Sequence, residues 1–182
     1  MREESQKEQF SKEWWVAHTP VFLAQSDTTA GFLCADFTKL NAIKGRAKLQ
    51  NVLLTLDSLE KLKNLVRPPA KYKNKIRKST KNTFIYRGKH ALMLENPCNA
   101  NLAIRVVRKG NVGKESQEAS HSDFLQFFPY LFSSSANAHK CKFDLDFACG
   151  NADIIVLDKR GLQESNPSKI YKVSNVNLKC VR

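Results

Sequence analysis

Three basic residues are placed in the sequence where their charge can serve chemistry. Lys44 and Arg46 lie two positions apart, and two cationic heads at that spacing can converge on one anion. Arg105 lies inside the apolar run 102–107, where a buried guanidinium needs an anion or several acceptors. These residues predict a site for a phosphate or a carboxylate. The open alternatives are a solvated basic pair and an arginine on the exposed face of a strand.

Short clusters of hydroxyl and amide side chains supply the other groups that such a site needs. These groups can bind phosphate or hydroxyl oxygens, although an ordinary turn has the same composition. Asp27 can help to hold Mg²⁺ indirectly or can cap a turn. The candidates are Ser26, Asp27 and Thr28 in the polar stretch 25–31, and Ser133, Ser135 and Asn137 after an apolar run.

The histidines and cysteines favour neither a metal site nor covalent catalysis. No histidine is paired with a serine or cysteine in a way that supports a nucleophile. His139, Cys141 and Cys149 can together supply three metal ligands, but structural zinc sites usually show paired close spacings, so we predict no metal site. The odd number of cysteines and their wide spacing predict reduced thiols. They are Cys34, Cys98, Cys141, Cys149 and Cys180.

The positive charge of the chain is concentrated in one segment. The formal net charge is +13, and residues 61–89 hold eleven basic residues and no acidic one. A local basic excess suits a phosphate backbone, so this segment predicts tRNA or other RNA, including double-stranded RNA, as a partner. The alternative is a lysine-rich helix face in contact with water. Tyr72 and Tyr86 can stack on bases, but two tyrosines are too few to predict a nucleic-acid platform.

The elements that must position these residues alternate between strand-like and helix-like segments. The chain has 182 residues, 42% of them hydrophobic, which predicts one domain over residues 1–182. Short apolar runs interleaved with helical patterns favour an α/β fold with a twisted mixed sheet and flanking helices. Strands are predicted at 21–24, 32–35, 51–56, 83–86, 91–94, 102–107, 130–132, 153–157, 170–173 and 178–181.

Four helices are predicted from apolar spacing and from capping residues. They cover 5–16, a segment behind the capping pair Asp57-x-x-Glu60, a segment that starts at 68–69 and runs through the basic residues, and 122–128. Residues 110–120 are polar and predict a loop.

No segment predicts a membrane span or a secretory signal. The longest apolar runs have four residues, whereas a spanning helix needs about 20. The first thirteen residues mix basic and acidic side chains without an apolar stretch. We therefore expect a cytoplasmic protein.

Separated pieces of the sequence resemble, in order, the YrdC-like family, whose members make threonylcarbamoyl-AMP for tRNA modification. The pieces 25–32, 43–47, 103–107 and 133–137 resemble the family's Pro-Thr-Asp/Glu-Thr-x-Tyr-Gly-Leu, Lys-x-Arg-Pro, Val-Arg-x-Pro and Ser-Thr-Ser-Ala-Asn segments. Residues 166–170 resemble its closing Pro-Ser-Thr-Ile segment, and 180–182 its last Ile-Arg strand. The order and spacing of the pieces extend the resemblance from about Val21 to Arg182.

The sequence departs from this family pattern at several positions. Ala30 replaces a tyrosine, Ala47 and Val107 replace prolines, and Ala138-His139 replaces Ser-Gly. The family's Trp-Pro-Gly-Pro-Leu-Thr segment is reduced to residues 79–84. We expect the fold to tolerate these changes more easily than the activity does.

The resemblance implies a synthase that converts threonine, bicarbonate and ATP into threonylcarbamoyl-AMP and pyrophosphate. Mg²⁺ would enter with ATP, and a downstream threonylcarbamoyl transferase would take the product. Lys44 and Arg46 would be catalytic. The residues that the resemblance implies for substrate and ATP binding are Ser26, Asp27, Thr28, Lys44, Arg46, Arg105, Ser133, Ser135, Asn137, Ser168 and Arg182.

Two other functions stay open. A diverged member of the family could keep the sheet and a basic cleft, and bind RNA or a nucleotide without turnover. A carbamoyl-transfer relative is the third hypothesis, but a single domain lacks the extra modules that such enzymes usually carry.

Overall fold

The backbone follows the predicted alternation of strands and helices. A computed structural model of the chain describes residues 17–87, 101–107 and 121–182. Several predictions lie outside the described residues: the helix at 5–16, the strand at 91–94, the loop at 110–120, Cys98 and the end of the basic segment at 88–89.

The described residues form nine strands and five α-helices. The strands are β1 (Phe22–Gln25), β2 (Ala30–Cys34), β3 (Leu53–Leu56), β4 (Asn82–Arg87), β5 (Asn101–Val106), β6 (Leu131–Ser135), β7 (Ile154–Val156), β8 (Lys169–Val173) and β9 (Leu178–Cys180). The helices are α1 (Phe37–Ile43), α2 (Leu59–Leu65), α3 (Lys73–Lys78), α4 (His121–Leu125) and α5 (Leu145–Gly150), with a 3₁₀ turn at Ala70–Tyr72 before α3.

The described strands form one mixed sheet in the order β7-β1-β2-β6-β3-β5-β4-β8-β9. β1 with β7, β3 with β5, and β4 with β8 pair in parallel. The other neighbours are antiparallel. The predicted α/β fold, with one mixed sheet and flanking helices, is confirmed.

Alternating side chains give this sheet two different faces. On the first face, Phe32 and Leu54 belong to two apolar clusters that also hold residues of α1, α2, α3 and α5. On the second face, Leu33 and Leu131 pack against Leu125 of α4 in a third cluster. Burying each of these side chains stabilises the fold by about 1.5–3 kcal/mol. Toward β3, β5 and β4, the second face carries polar side chains instead.

The end of α1 is fixed by a glycine between the two predicted catalytic residues. Gly45 has φ +60, a conformation in which a residue with a Cβ is strained. Gly45 N donates to Ala42 O at 3.0 Å and Arg46 N donates to Asn41 O at 2.9 Å. These are the two bonds of a Schellman motif. The chain therefore turns sharply between Lys44 and Arg46.

Helix boundaries differ from the predictions at three places. The N-cap of α2 is Ser58, whose Oγ accepts from Lys61 N at 3.3 Å, whereas the predicted cap Asp57 pairs with the Lys61 ammonium at 2.6 Å. The helix predicted from 68–69 is a 3₁₀ turn followed by the six-residue α3. α4 ends at Leu125, short of the predicted 128.

α5 is not predicted from the sequence, because its six residues make less than two turns and show no apolar period. Its N-cap is Asp144, which accepts from Phe147 N at 2.6 Å. Across the described ranges, no helix combines the length and apolar character that crossing a membrane requires.

His121, at the start of α4, is buried, and neither of its ring nitrogens has a hydrogen-bond partner among the described residues. It is 5% exposed, and its ring stacks on Phe124 with 6.4 Å between ring centroids. Burial lowers the pKa of His121 to about 4, with Asp27 opposing the shift and Arg160 adding to it. The imidazole is therefore neutral at pH 7.

We expect His121 to make the protein less stable in mild acid. Between pH 6.5 and about 4 the unfolded chain binds a proton at this residue and the folded chain does not. The free energy of unfolding therefore falls by up to about 3 kcal/mol as the pH drops through this window. His121→Phe removes this loss, because a phenyl ring fills the site without titrating. Urea unfolding at pH 7 and pH 4.5 measures the difference between the variants.

The exposed His18 offers a matched control, because His18→Phe makes the same substitution outside the buried site. If His121→Phe loses as much stability on acidification as the wild type does, the buried imidazole is not its source.

Candidate functional site

A cavity of about 300 Å³ lies on the second face of the sheet, over β3, β5 and β4. Three guanidinium groups line it, those of Arg46, Arg105 and Arg182, together with several hydroxyl groups. None of the described residues that line it is acidic. Such a lining suits an anion with several oxygens.

A polar row on the second face reaches the floor of this cavity through Arg105 and Thr83. Thr55, Arg105 and Thr83 are register partners on β3, β5 and β4, and all three are buried. Thr83 Oγ1 is 3.0 Å from Ser168 Oγ. Thr55 Oγ1 and Arg105 Nε have no hydrogen-bond partner within the described ranges. Strand alternation places all three side chains on one face, so β pairing itself builds the row.

Arg105 is held by the turn between β1 and β2. Its Nη1 donates to Asp27 Oδ1 at 3.1 Å and to Thr28 Oγ1 at 2.8 Å. Burial lowers the pKa of Arg105 and Asp27 opposes that shift, so the guanidinium stays charged. Arg105 therefore faces the cavity rather than solvent, and Asp27 supplies the anion that its buried charge requires.

The β1–β2 turn is itself fixed by polar contacts. Ser26 Oγ accepts from Thr28 N at 3.0 Å and donates to Thr29 O at 2.7 Å. Arg160 donates to the main-chain oxygens of Ser26 and Gln25, each at 2.9 Å. Arg160 supports the turn from a distant part of the chain, and no sequence signal singles it out.

Lys44 is buried and does not line the cavity. It is 3% exposed, and its ammonium donates to the main-chain oxygens of Ser135 and Asn137, both at 2.6 Å. Asn137 Oδ1 lies 2.9 Å and Ser135 Oγ 3.2 Å from the same nitrogen. Burial and then the charge of Arg46 lower the pKa of Lys44 to about 8. The solvated alternative is wrong for Lys44, whose charge is surrounded by protein oxygens.

Arg46 reaches the cavity from the other side of the turn at Gly45. It lines the cavity, and its Nε donates to His139 Nδ1 at 3.3 Å. Lys44 and Arg46 therefore do not converge on one anion as their spacing predicts, because the Schellman motif directs one to β6 and the other to the cavity.

The end of β6 brings hydroxyl groups to the cavity. Ser133 and Ser135 line it, whereas the side chain of Asn137 binds Lys44 and the main-chain oxygen of Cys141. Gly31 on β2 is the register partner of Ser135. A Cβ at Gly31 would lie 3.0 Å from the main-chain oxygen of Ser134 on β6, so glycine permits this close pairing.

Ser168 and Arg182 bring the last segment of the chain to the cavity. Arg182 Nη2 donates to Ser168 O at 3.3 Å, and Ser168 bonds to Thr83 on the floor. The charge of Arg182 contributes to the lowered pKa of Arg105. The two guanidinium groups therefore repel each other, and a bound anion would relieve that repulsion.

Eight of the eleven predicted binding residues line one cavity, and the other three support its lining. The lining residues are Ser26, Thr28, Arg46, Arg105, Ser133, Ser135, Ser168 and Arg182. Asp27, Lys44 and Asn137 hold Arg105 and the end of β6 instead. The binding role of all eleven stays a prediction. Thr29, Gly31 and Thr83 also line the cavity without having been predicted, although Thr83 lies in the segment that resembles the family's Trp-Pro-Gly-Pro-Leu-Thr.

The cysteines and carboxylates form no metal centre in the part of the chain that the structure describes. No group of three His, Cys, Asp or Glu residues is able to hold a metal ion there. Cys34, Cys141, Cys149 and Cys180 are free thiols.

Solved structures share this fold at low sequence identity. YciO of E. coli superposes with a TM-score of 0.69 and 14% identity, over 92% of this chain and 84% of that chain. P. abyssi Sua5 complexed with L-threonine gives 0.65 and 12%, over 92% of this chain and 51% of that chain. The MTH1692 protein of Methanobacterium thermoautotrophicum gives 0.63 and 15%, over 90% and 79%.

The chain thus spans about half the length of the Sua5 structure. No protein-family model and no curated protein matches the sequence. The superpositions confirm the predicted YrdC-like fold.

We expect Lys44→Met to destabilise the fold. The substitution keeps a side chain of similar length but leaves the main-chain oxygens of Ser135 and Asn137 buried without their donor, which costs about 1–3 kcal/mol. Urea unfolding at pH 7 measures this loss. The exposed Lys48→Met serves as the control and should stay within about 0.5 kcal/mol of the wild type. Equal stability of the two variants would show that the Lys44 contacts contribute nothing net.

Proposed function

We propose that this chain, with its YrdC-like fold, is a threonylcarbamoyl-AMP synthase. The observation that carries the proposal is the cavity lined by Arg46, Arg105 and Arg182, with hydroxyl groups between them and no acidic side chain among its described lining residues. The similarity to a Sua5 structure complexed with L-threonine supports the proposal at the level of the fold.

The proposed reaction requires the protein to position the substrates and to stabilise negative charge with cationic side chains. The nitrogen of threonine combines with bicarbonate to form a carbamate with loss of water, an oxygen of the carbamate attacks the α-phosphate of ATP, and pyrophosphate leaves. No protein nucleophile is needed. Arginines that are already held in place stabilise the charge on phosphate oxygens without reorganising during the reaction. Arg105 and Arg182 are held in this way by Asp27 and Ser168.

The residues present fit ATP better than they fit a free metal ion. Guanidinium groups match phosphate oxygens in charge and geometry. The carboxylate of Asp27 lies beside the cavity but already accepts a hydrogen bond from Arg105. Mg²⁺ would therefore enter on the phosphate oxygens of ATP, as it commonly does in nucleotide sites. The proposal also places the chain in the cytoplasm, with a downstream threonylcarbamoyl transferase as its partner.

We expect the purified protein to release pyrophosphate from ATP in a threonine-dependent manner when bicarbonate and Mg²⁺ are present. Threonine should exceed serine modestly, because one methyl group in an apolar pocket contributes about 1–3 kcal/mol. Arg46→Gln should weaken ATP binding by about 1.5–3 kcal/mol, since it removes a charged donor. Coupled pyrophosphate assays and calorimetric titration with ATP measure the two effects.

Arg77→Gln is the matched control, because Arg77 is exposed on α3 and does not line the cavity. Pyrophosphate release that is the same with and without threonine would overturn the synthase. Unchanged ATP affinity in Arg46→Gln would overturn the assignment of the cavity.

A second candidate is an RNA-binding protein without turnover, and a specific surface favours it. α3 and the 3₁₀ turn lie against the β8–β9 edge: the Lys75 ammonium is 5.6 Å from the centre of the Tyr171 ring, and Tyr72 donates to Val176 O at 2.8 Å. Residues 61–87 hold ten basic residues, residues 165–182 hold four, and neither stretch has an acidic one. We name these two stretches the basic surface, and a surface of this kind suits a phosphate backbone.

We expect RNA binding through the basic surface to depend on salt. Replacing Lys73, Lys75 and Lys78 with Gln should flatten the plot of log K against log salt by up to about 0.9 for each lost phosphate contact. Binding to a double-stranded RNA and to tRNA is measured at several salt concentrations.

The control replaces Lys48, Lys142 and Lys159 with Gln. These exposed lysines lie outside the basic surface, and replacing them removes the same amount of charge. An equal slope for both triple variants would mean that the basic surface is only a solvated face.

A further inference from the structure

His139 is the position at which a departure from the family pattern touches a cavity arginine. Its Nδ1 accepts a hydrogen bond from Arg46 Nε at 3.3 Å. Among the described residues this is the one hydrogen bond that the Arg46 guanidinium makes. A glycine at this position, as in the pattern, would offer no side-chain acceptor. We propose that His139 is a positioning residue that orients Arg46 toward a phosphate-bearing ligand, an inference that rests on the proposed function of the cavity.

The loop that carries His139 is built to hold the imidazole in place. Cys141 N donates to Ala138 O at 3.1 Å and closes a turn with His139 and Lys140 at its centre. Lys140 has φ +63 and His139 is not among the residues with a positive φ, the pattern of a type II turn. The Asn137 amide binds Cys141 O and ties this turn to the Lys44 contacts. The same contacts that bury Lys44 therefore set the distance between His139 and Arg46.

The geometry also fixes which donors remain for a ligand. Because Nδ1 accepts, the proton of the neutral imidazole is on Nε2. Arg46 gives its Nε–H to His139 and keeps the Nη hydrogens, which can bind two oxygens of one anion. The other two cavity arginines are anchored in a similar way, because Arg105 donates to Asp27 and Arg182 donates to Ser168 O. Each arginine is thus held at one donor and open at others.

A double-mutant cycle on ATP binding tests the proposal without depending on turnover. His139→Ala should weaken ATP binding roughly 2- to 10-fold, the range for one exposed hydrogen bond. In the Arg46→Gln background, His139→Ala should have no effect, because it acts through Arg46. His139→Asn should restore most of the affinity, since its amide oxygen can also accept. His18→Ala is the control for loss of an exposed imidazole and should bind ATP as the wild type does.

Nitrogen NMR of the His139 ring adds a readout that needs no ligand. The neutral ring of the wild type should be the tautomer with its proton on Nε2, and Arg46→Gln should shift the population toward the other tautomer. An unchanged ring signal in Arg46→Gln, or an equal loss of ATP affinity on His139→Ala in both backgrounds, would overturn the positioning role and leave the synthase standing. If the wild type binds neither ATP nor pyrophosphate, both proposals fail together.

Discussion

The buried ammonium of Lys44 fixes the geometry around the cavity although it does not line it. A charge that is 3% exposed costs several kcal/mol unless oxygens replace its water. Four oxygens of Ser135 and Asn137 lie within 3.2 Å of it. Because those oxygens belong to the end of β6 and the loop behind it, the end of α1 and the end of β6 must stay together. The places of Arg46, Ser135 and His139 follow from that requirement.

A second constraint comes from the sheet itself. Pairing of β3, β5 and β4 puts Thr55, Arg105 and Thr83 in one row on one face. Their apolar neighbours along each strand point to the other face and pack under the helices. The row therefore cannot be covered by apolar packing without leaving a buried guanidinium short of acceptors. Asp27 and Thr28 supply two of those acceptors, and Arg105 Nε still has none among the described residues. The polar floor and its anchored arginine together make this part of the face suitable for a ligand.

The sequence predicts strands well because their apolar runs are short and bounded by turn residues, as at β1 and β5. Through the family resemblance, the sequence also predicts as binding residues eight of the residues that line the cavity. It does not predict that Lys44 and Arg46 point to different places. Their spacing gives no information about backbone dihedral angles, and the positive φ of Gly45 separates the two side chains. Nor does it predict Arg160, whose contact with the β1–β2 turn spans 134 positions. α5 is missed for a different reason, since a helix of six residues is defined by its cap and tertiary packing rather than by periodicity.

The departures from the family pattern lie mostly behind the cavity lining. Ala30 packs in an apolar cluster on the first face, and Ala47 is exposed. Val107 N donates to Leu56 O at 2.7 Å, a bond that a proline at this position could not make. None of these three lines the cavity, so they leave its cationic lining in place. His139 is the exception, because it touches Arg46 directly. Divergence of this kind leaves the cationic lining in place and changes how firmly Arg46 is held, and firmly held arginines are what the proposed reaction would require for transition-state positioning.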